Sequence, residues 1–137
     1  MKTGNKKNVK VLLVDDVQMH RFTMKYGIEI VNPSIKIDEA ADLAEAIAKL
    51  SNNTYNAVIS DWSMPGGGGE ELVSWMRART QFDRVAFIMI SAKSSNKDII
   101  QAFTEHKVDD YVVKPFRRRA LVDKMMLAIE KRRLGTV

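Results

Sequence analysis

A chain of 137 residues with 45% hydrophobic and 28% charged content has the size and balance of one ordinary globular domain. Its 22 Lys and Arg against 17 Asp and Glu give a net charge of +5, and the absence of cysteine excludes disulfides, thiol catalysis and thiolate metal sites. The longest apolar runs are strand-sized, and the basic start, MKTGNKKNVK, leads into VLLV and DD rather than a cleavage site, so a cytoplasmic domain without membrane insertion is expected.

Residues 9–14 read as a strand rich in β-branched side chains, ending at Asp15 and Asp16. Residues 17 to about 30 carry Val17, Phe22, Met24 and Ile28 at helical spacing, until Asn32-Pro33 breaks the helix. Residues 35–40 alternate as a short, half-exposed strand. Residues 42–50 form an amphipathic helix through Leu43, Ala44, Ile47, Ala48 and Leu50. Residues 57–60 are a buried strand that ends at Asp61, and residues 70–79 a helix with Leu72, Val73 and Met76 inward. The most continuous apolar strand, 85–90, ends at Ser91. The fourth helix, 96 to about 105, shows Ile99, Ile100 and Phe103. Residues 111–113 are a last strand before Lys114-Pro115, and residues 117–133 a last helix with Leu121, Val122, Met125, Ala128 and Ile129.

Five strand–helix units without repeats or a linker predict an α/β fold, a doubly wound parallel sheet of five strands with five helices on its two faces. The whole chain, 1–137, is expected to be a single domain with a core of about residues 8–133 and no output domain. The initial Met and the close-fitting ends suggest a complete chain. Ligands in such sheets bind beyond the carboxyl ends of the strands. Asp15 and Asp16, Asp61, Ser91 and Lys114 all follow apolar runs at those ends. Clustered carboxylates repel one another unless a cation compensates, and a hard divalent ion with oxygen ligands, Mg²⁺ where phosphate is involved, meets that need. With a lysine charge and a serine hydroxyl, the set makes a clamp for phosphoryl oxygens. One carboxylate can then act as nucleophile, and Asp61, alone at the end of a central strand, is the best placed; Asp15 and Asp16 suit the metal.

VDD at 14–16, SDWSMP at 60–65, ISAK at 90–93 and YVVKPF at 111–116 resemble the response-regulator receiver domain, in order and over essentially the whole chain. The resemblance implies the flavodoxin-like strand order 2-1-3-4-5, with Asp61 as phosphoacceptor. It implies Asp16 as a direct Mg²⁺ ligand, Asp15 mainly through water, and the Ser63 backbone carbonyl as a further ligand. Ser91 and Lys114 would contact the phosphoryl group, and the Lys114-Pro115 bond would be cis. Ser91 and Tyr111 would form the switch, the ring turning inward as the hydroxyl moves to the phosphoryl group. Ser63 and Lys93 take positions that tune dephosphorylation. Implied partners are a sensor histidine kinase and, for the single-domain chemotaxis type, a flagellar motor switch protein that binds the surface of helix four, strand five and helix five. A phosphatase, an activation-linked dimer of an otherwise monomeric protein, and a role as phosphorelay intermediate or phosphate sink outside motility stay open.

The run GGGG at 66–69 invites a phosphate-loop reading, but such loops need Lys and a hydroxyl next, and here Glu70 and Glu71 follow. Gly69 takes the position of a family glycine, and the run predicts a mobile loop beside Asp61. Trp62 is expected to be useful as a fluorophore, and His20 and His106 to be surface residues. Arg117–Arg119 and Lys131–Arg133 read either as attraction to an acidic partner or nucleic acid, or as a solvated basic helix end. No recognition helix or aromatic stacking pattern accompanies them, which weighs against nucleic acid. An aspartate-nucleophile phosphohydrolase would need a second Asp where Ser63 stands, so slow self-dephosphorylation is expected rather than turnover as an enzyme.

Overall fold

Side chains on a strand alternate between two faces, so a strand that is apolar at every position needs cover on both. The computed structural model, which describes residues 8–135, meets that need with five alternating strands and helices. They are β1 (Lys10–Val14), α1 (Gln18–Val31), β2 (Lys36–Ala40), α2 (Leu43–Asn52), β3 (Ala57–Asp61), α3 (Gly69–Arg77), β4 (Ala86–Ser91), α4 (Asn96–Thr104), β5 (Asp110–Val113) and α5 (Arg118–Leu134). A short 3₁₀ turn, Thr80–Phe82, leads into β4. All neighbouring strands are parallel, in the order β2-β1-β3-β4-β5. The doubly wound, flavodoxin-like sheet expected from the sequence is the fold observed. The basic stretch before residue 8 lies outside the described residues. Among the described residues, no helix is long and apolar enough to cross a membrane.

The two faces hold separate cores. Val11, Leu13, Ile59, Ile88 and Ile90 pack with Met24 and Ile28 of α1 and Leu121 and Met125 of α5. The intervening residues Leu12, Val14, Val58, Phe87 and Met89 pack with Leu50 of α2 and Leu72, Val73 and Met76 of α3. Each fully buried side chain of this size contributes roughly 1.5–3 kcal/mol. Asp42 caps α2 by accepting from the Glu45 backbone N–H at 2.8 Å, and Ser95 caps α4 by accepting from the Asp98 backbone N–H at 3.1 Å.

The inward residues expected for α3 and α5 are those observed, whereas α1, α4 and α2, in which Ala46 rather than Ala44 or Ala48 is buried, differ. Phe22 lies two positions from Met24, about 200° around the helix, and so points to solvent, stacked on Tyr26. In α4 only Ala102 is buried, and Ile100 and Phe103 remain exposed. Helical spacing reveals an apolar stripe; it does not say whether the sheet or something else covers it.

Candidate functional site

Parallel register brings the strand ends level. Val14 pairs with Ser60, Asp61 with Ile90, and Ser91 with Val113, so Asp15, Asp61, Ser91 and Lys114 emerge along one edge of the sheet. Asp15 is fully buried. Its Oδ1 accepts from the Val17 backbone N–H at 2.9 Å, and its carbonyl accepts from Arg21 Nη1 at 2.6 Å. Arg21 is in turn held by Glu39, its Nε donating to Oε1 at 2.9 Å. The carboxylate is therefore fixed with Oδ2 facing the site.

One ammonium serves the whole cluster. Lys114 Nζ lies 3.5 Å from Asp15 Oδ2 and 3.5 Å from Asp61 Oδ2. The Lys114–Pro115 peptide is cis, as the resemblance implied. Burial pushes the Asp61 carboxyl above the usual carboxylate range; Lys114 opposes this, and the Asp15 charge adds to it. A single lysine thus leaves the two carboxylates short of positive charge. Ligand atoms of Asp15, Asp61 and His20 lie within 4.8 Å of one another. The charge deficit and the oxygen donors fit a hard divalent cation such as Mg²⁺. Asp16 is exposed and stands outside this group, and Ser63 is exposed just past Asp61.

Ser91 and Tyr111 are joined through the Lys93 backbone. The Lys93 N–H donates to Ser91 Oγ at 3.0 Å, and the Lys93 carbonyl accepts from the Tyr111 hydroxyl at 2.8 Å. Tyr111 is already turned inward, only 4% exposed, and burial pushes its phenol up. Its ring meets Trp62 edge to face at 5.9 Å, and Lys93 Nζ sits 4.2 Å from the Trp62 ring centroid.

Three residues do more than their sequence context suggested. Trp62 is buried and is the shared contact of Tyr111, Lys93 and His106. His106, expected at the surface, packs edge to face on Trp62 and reaches Glu70 at 3.3 Å. His20 is exposed as expected, yet its Nδ1 lies 3.3 Å from Asp15 Oδ2 and 3.5 Å from Lys114 Nζ. The available signal was position: His20 falls on the first turn of α1, directly after the carboxylate-bearing end of β1.

The second half of the glycine run, Gly68 and Gly69, is buried and closely packed, whereas Gly66 is exposed. Gly69 N–H donates to the Trp62 carbonyl at 2.9 Å, and Gly68 N–H to Glu71 Oε1 at 2.6 Å. Gly68 is buried, and a Cβ there would lie 1.9 Å from the Trp62 carbonyl oxygen. At Gly66 a Cβ would meet nothing within 4 Å, but φ is +81°. Gly68→Ala is expected to cost about 2 kcal/mol or more and Gly66→Ala only about 1 kcal/mol. Urea denaturation midpoints of the two variants check this; equal costs would mean that the loop yields freely at Gly68.

Sequence and structure comparisons agree with this geometry. Residues 11–126 match the response regulator receiver domain family. The chain is 31% identical over 125 residues to "Chemotaxis protein CheY-3" of Vibrio cholerae, covering 91% of this chain and 95% of that protein. Among solved structures, it superposes on the receiver domain of the Francisella response regulator 1452 with a TM-score of 0.80 and 28% identity, covering 90% of this chain and 98% of that one. The response regulator TrrA from Thermotoga maritima, solved in complex with Mg²⁺-BeF, gives 0.73 and 28%, covering 88% and 98%.

Proposed function

The chain belongs to the response regulator receiver domain family, and from that premise we propose that it is a phosphorylation-activated response regulator whose phosphoacceptor is Asp61. The observation that carries this reading is Lys114 shared at 3.5 Å between Asp15 and Asp61, whose carboxyl burial pushes above the usual carboxylate range. In the proposed reaction an Asp61 oxygen attacks the phosphorus of a kinase phosphohistidine, the new O–P bond forms, and the P–N bond breaks as the histidine leaves. Asp15, Asp16, Asp61 and the Ser63 carbonyl would hold Mg²⁺, which neutralises the carboxylates and the phosphoryl oxygens when bound. Lys114 supplies a fixed charge to the transferred group, and Ser91 a hydroxyl donor. Ser63 offers no acid to speed hydrolysis, so the phosphoryl group is lost slowly and the protein is no turnover enzyme.

Output follows from the Lys93 backbone bridge. When the Ser91 hydroxyl turns to the phosphoryl group it gives up the Lys93 N–H, and the loop that holds Tyr111 repacks. The exposed Phe103 of α4 lines a groove with Tyr111 and Val113 of β5 and Ala120 and Lys124 of α5, a surface suited to a protein partner. The relatives named as chemotaxis proteins make a flagellar motor switch protein in the cytoplasm the proposed target, with a sensor histidine kinase upstream. The alternative outputs, a relay or phosphate sink, differ in giving no beryllofluoride-dependent binding to a motor switch peptide.

The site reading is tested by intact-mass measurement after incubation with a small phosphodonor and Mg²⁺. One added phosphoryl group is expected, and none for Asp61→Asn. Labelling that persists in Asp61→Asn would refute the assignment.

A further inference from the structure

We propose that His20 is a nitrogen ligand that extends this site from Mg²⁺ to first-row transition dications of the imidazole-binding class, such as Co²⁺, Zn²⁺ and Fe²⁺, with Asp15 and Asp61 as the oxygen donors. The proposal rests on the acidic pocket proposed above as the metal site and adds a donor of different chemistry. Three observations support it. His20 Nδ1, Asp15 Oδ2 and Asp61 Oδ2 each lie 3.5 Å from Lys114 Nζ, and ligand atoms of the three residues lie within 4.8 Å of one another, so a cationic group already occupies the place where their lone pairs converge. A ligand nitrogen or oxygen sits about 2.0–2.2 Å from such an ion, which puts adjacent donors about 3 Å apart. The 3.3 Å between His20 Nδ1 and Asp15 Oδ2 is close to that spacing.

The second observation is the distribution of constraint. Asp15 is fixed by Val17 and Arg21, whereas the His20 side chain is 47% exposed and free to adjust by a few tenths of an ångström. The third is chemical. Mg²⁺ prefers oxygen and keeps its water, so a ring nitrogen gives it little, while imidazole binds later first-row ions well. A dication entering the cluster takes over the charge compensation that Lys114 provides, and the long lysine stem lets the ammonium swing aside.

The test is a Co²⁺ titration of the full chain, followed by visible absorption and by hyperfine-shifted imidazole N–H resonances in proton NMR. Wild type is expected to bind Co²⁺ roughly tenfold more tightly than His20→Gln, with one shifted imidazole resonance that this variant lacks. Mg²⁺ affinity should be equal in the two proteins, and His106→Gln should behave as wild type. Undiminished Co²⁺ affinity and an unchanged spectrum in His20→Gln would overturn the proposal. So would an equal loss of Mg²⁺ and Co²⁺, which would mean that His20 acts by orienting Asp15. If Co²⁺ binding depends on His20 but neither Mg²⁺ nor beryllofluoride binds, the nitrogen ligand stands and the phosphoacceptor reading falls.

Discussion

Lys114→Ala is expected to cut labelling of Asp61 by a small phosphodonor about 10²-fold or more, as loss of a fixed charge aimed at a reacting group does. It should also change how stability depends on pH in the metal-free protein. The sign follows from Asp61. Burial already holds its folded pKa above the unfolded value, and Lys114 is the main influence pulling it back. Without the ammonium the folded pKa rises further. A folded state that binds more protons than the unfolded one loses stability as pH rises between the two values. The deficit of Lys114→Ala should therefore be small near pH 4 and grow toward neutrality. Lys114 and Asp61 both keep some solvent, 23% and 15% by side chain, so screening limits the neutral-pH deficit to about 1–2 kcal/mol. Urea melts from pH 4 to 8 test this, with Lys114→Met retaining the aliphatic stem. A deficit that is the same at every pH, and is cured by Met, would show that the lysine acts by packing alone.

Much of this site is readable in the chain because its parts lie at strand ends. A run such as VLLV or VAFIMI marks a strand buried on both faces, and the next polar residue must then fall at the carboxyl edge of the sheet. That logic finds Asp15, Asp61, Ser91 and Lys114. It does not find contacts made across helices or through backbone atoms. The link from Ser91 to Tyr111 runs through the main chain of Lys93, which carries no sequence signal. His20 resembles any surface histidine until α1 is placed beside β1. The glycines mislead in the other direction: composition suggests freedom at Gly68, whereas close approach of the Trp62 carbonyl demands a missing side chain.

The basic C-terminal helix shows the same limit. In the sequence Arg132 is one charge of a basic cluster that reads either as a partner-binding patch or as a solvated helix end, yet it is half-buried and holds Asp109 with both Nε, at 3.0 Å from Oδ1, and Nη2, at 2.8 Å. Arg77 Nη2 reaches the other oxygen at 3.1 Å, and the Phe87 backbone N–H donates to it at 2.8 Å. One carboxylate, 5% exposed, thereby ties α3, β4 and α5 together near the edge opposite the phosphoacceptor. Burial pulls Arg77 below its ordinary value, and the neighbouring Arg132 adds to that, so the pair of guanidiniums is tolerable only while Asp109 stands between them.

Asp109→Ala leaves two poorly solvated cations facing each other and a buried N–H without its acceptor. We expect a loss of about 3–5 kcal/mol, a large part of the stability of a domain this size. The urea midpoint should fall with little change in slope, and Mg²⁺ binding in the remaining folded protein should be unaffected. Asp109→Asn keeps most of the hydrogen-bond geometry but not the charge, and should fall between. Removing Arg77 as well, in Asp109→Ala with Arg77→Met, should recover part of the loss, because the largest cost is cation left against cation. A double variant less stable than Asp109→Ala alone would show instead that packing of the Arg77 stem, rather than its charge, dominates at this junction.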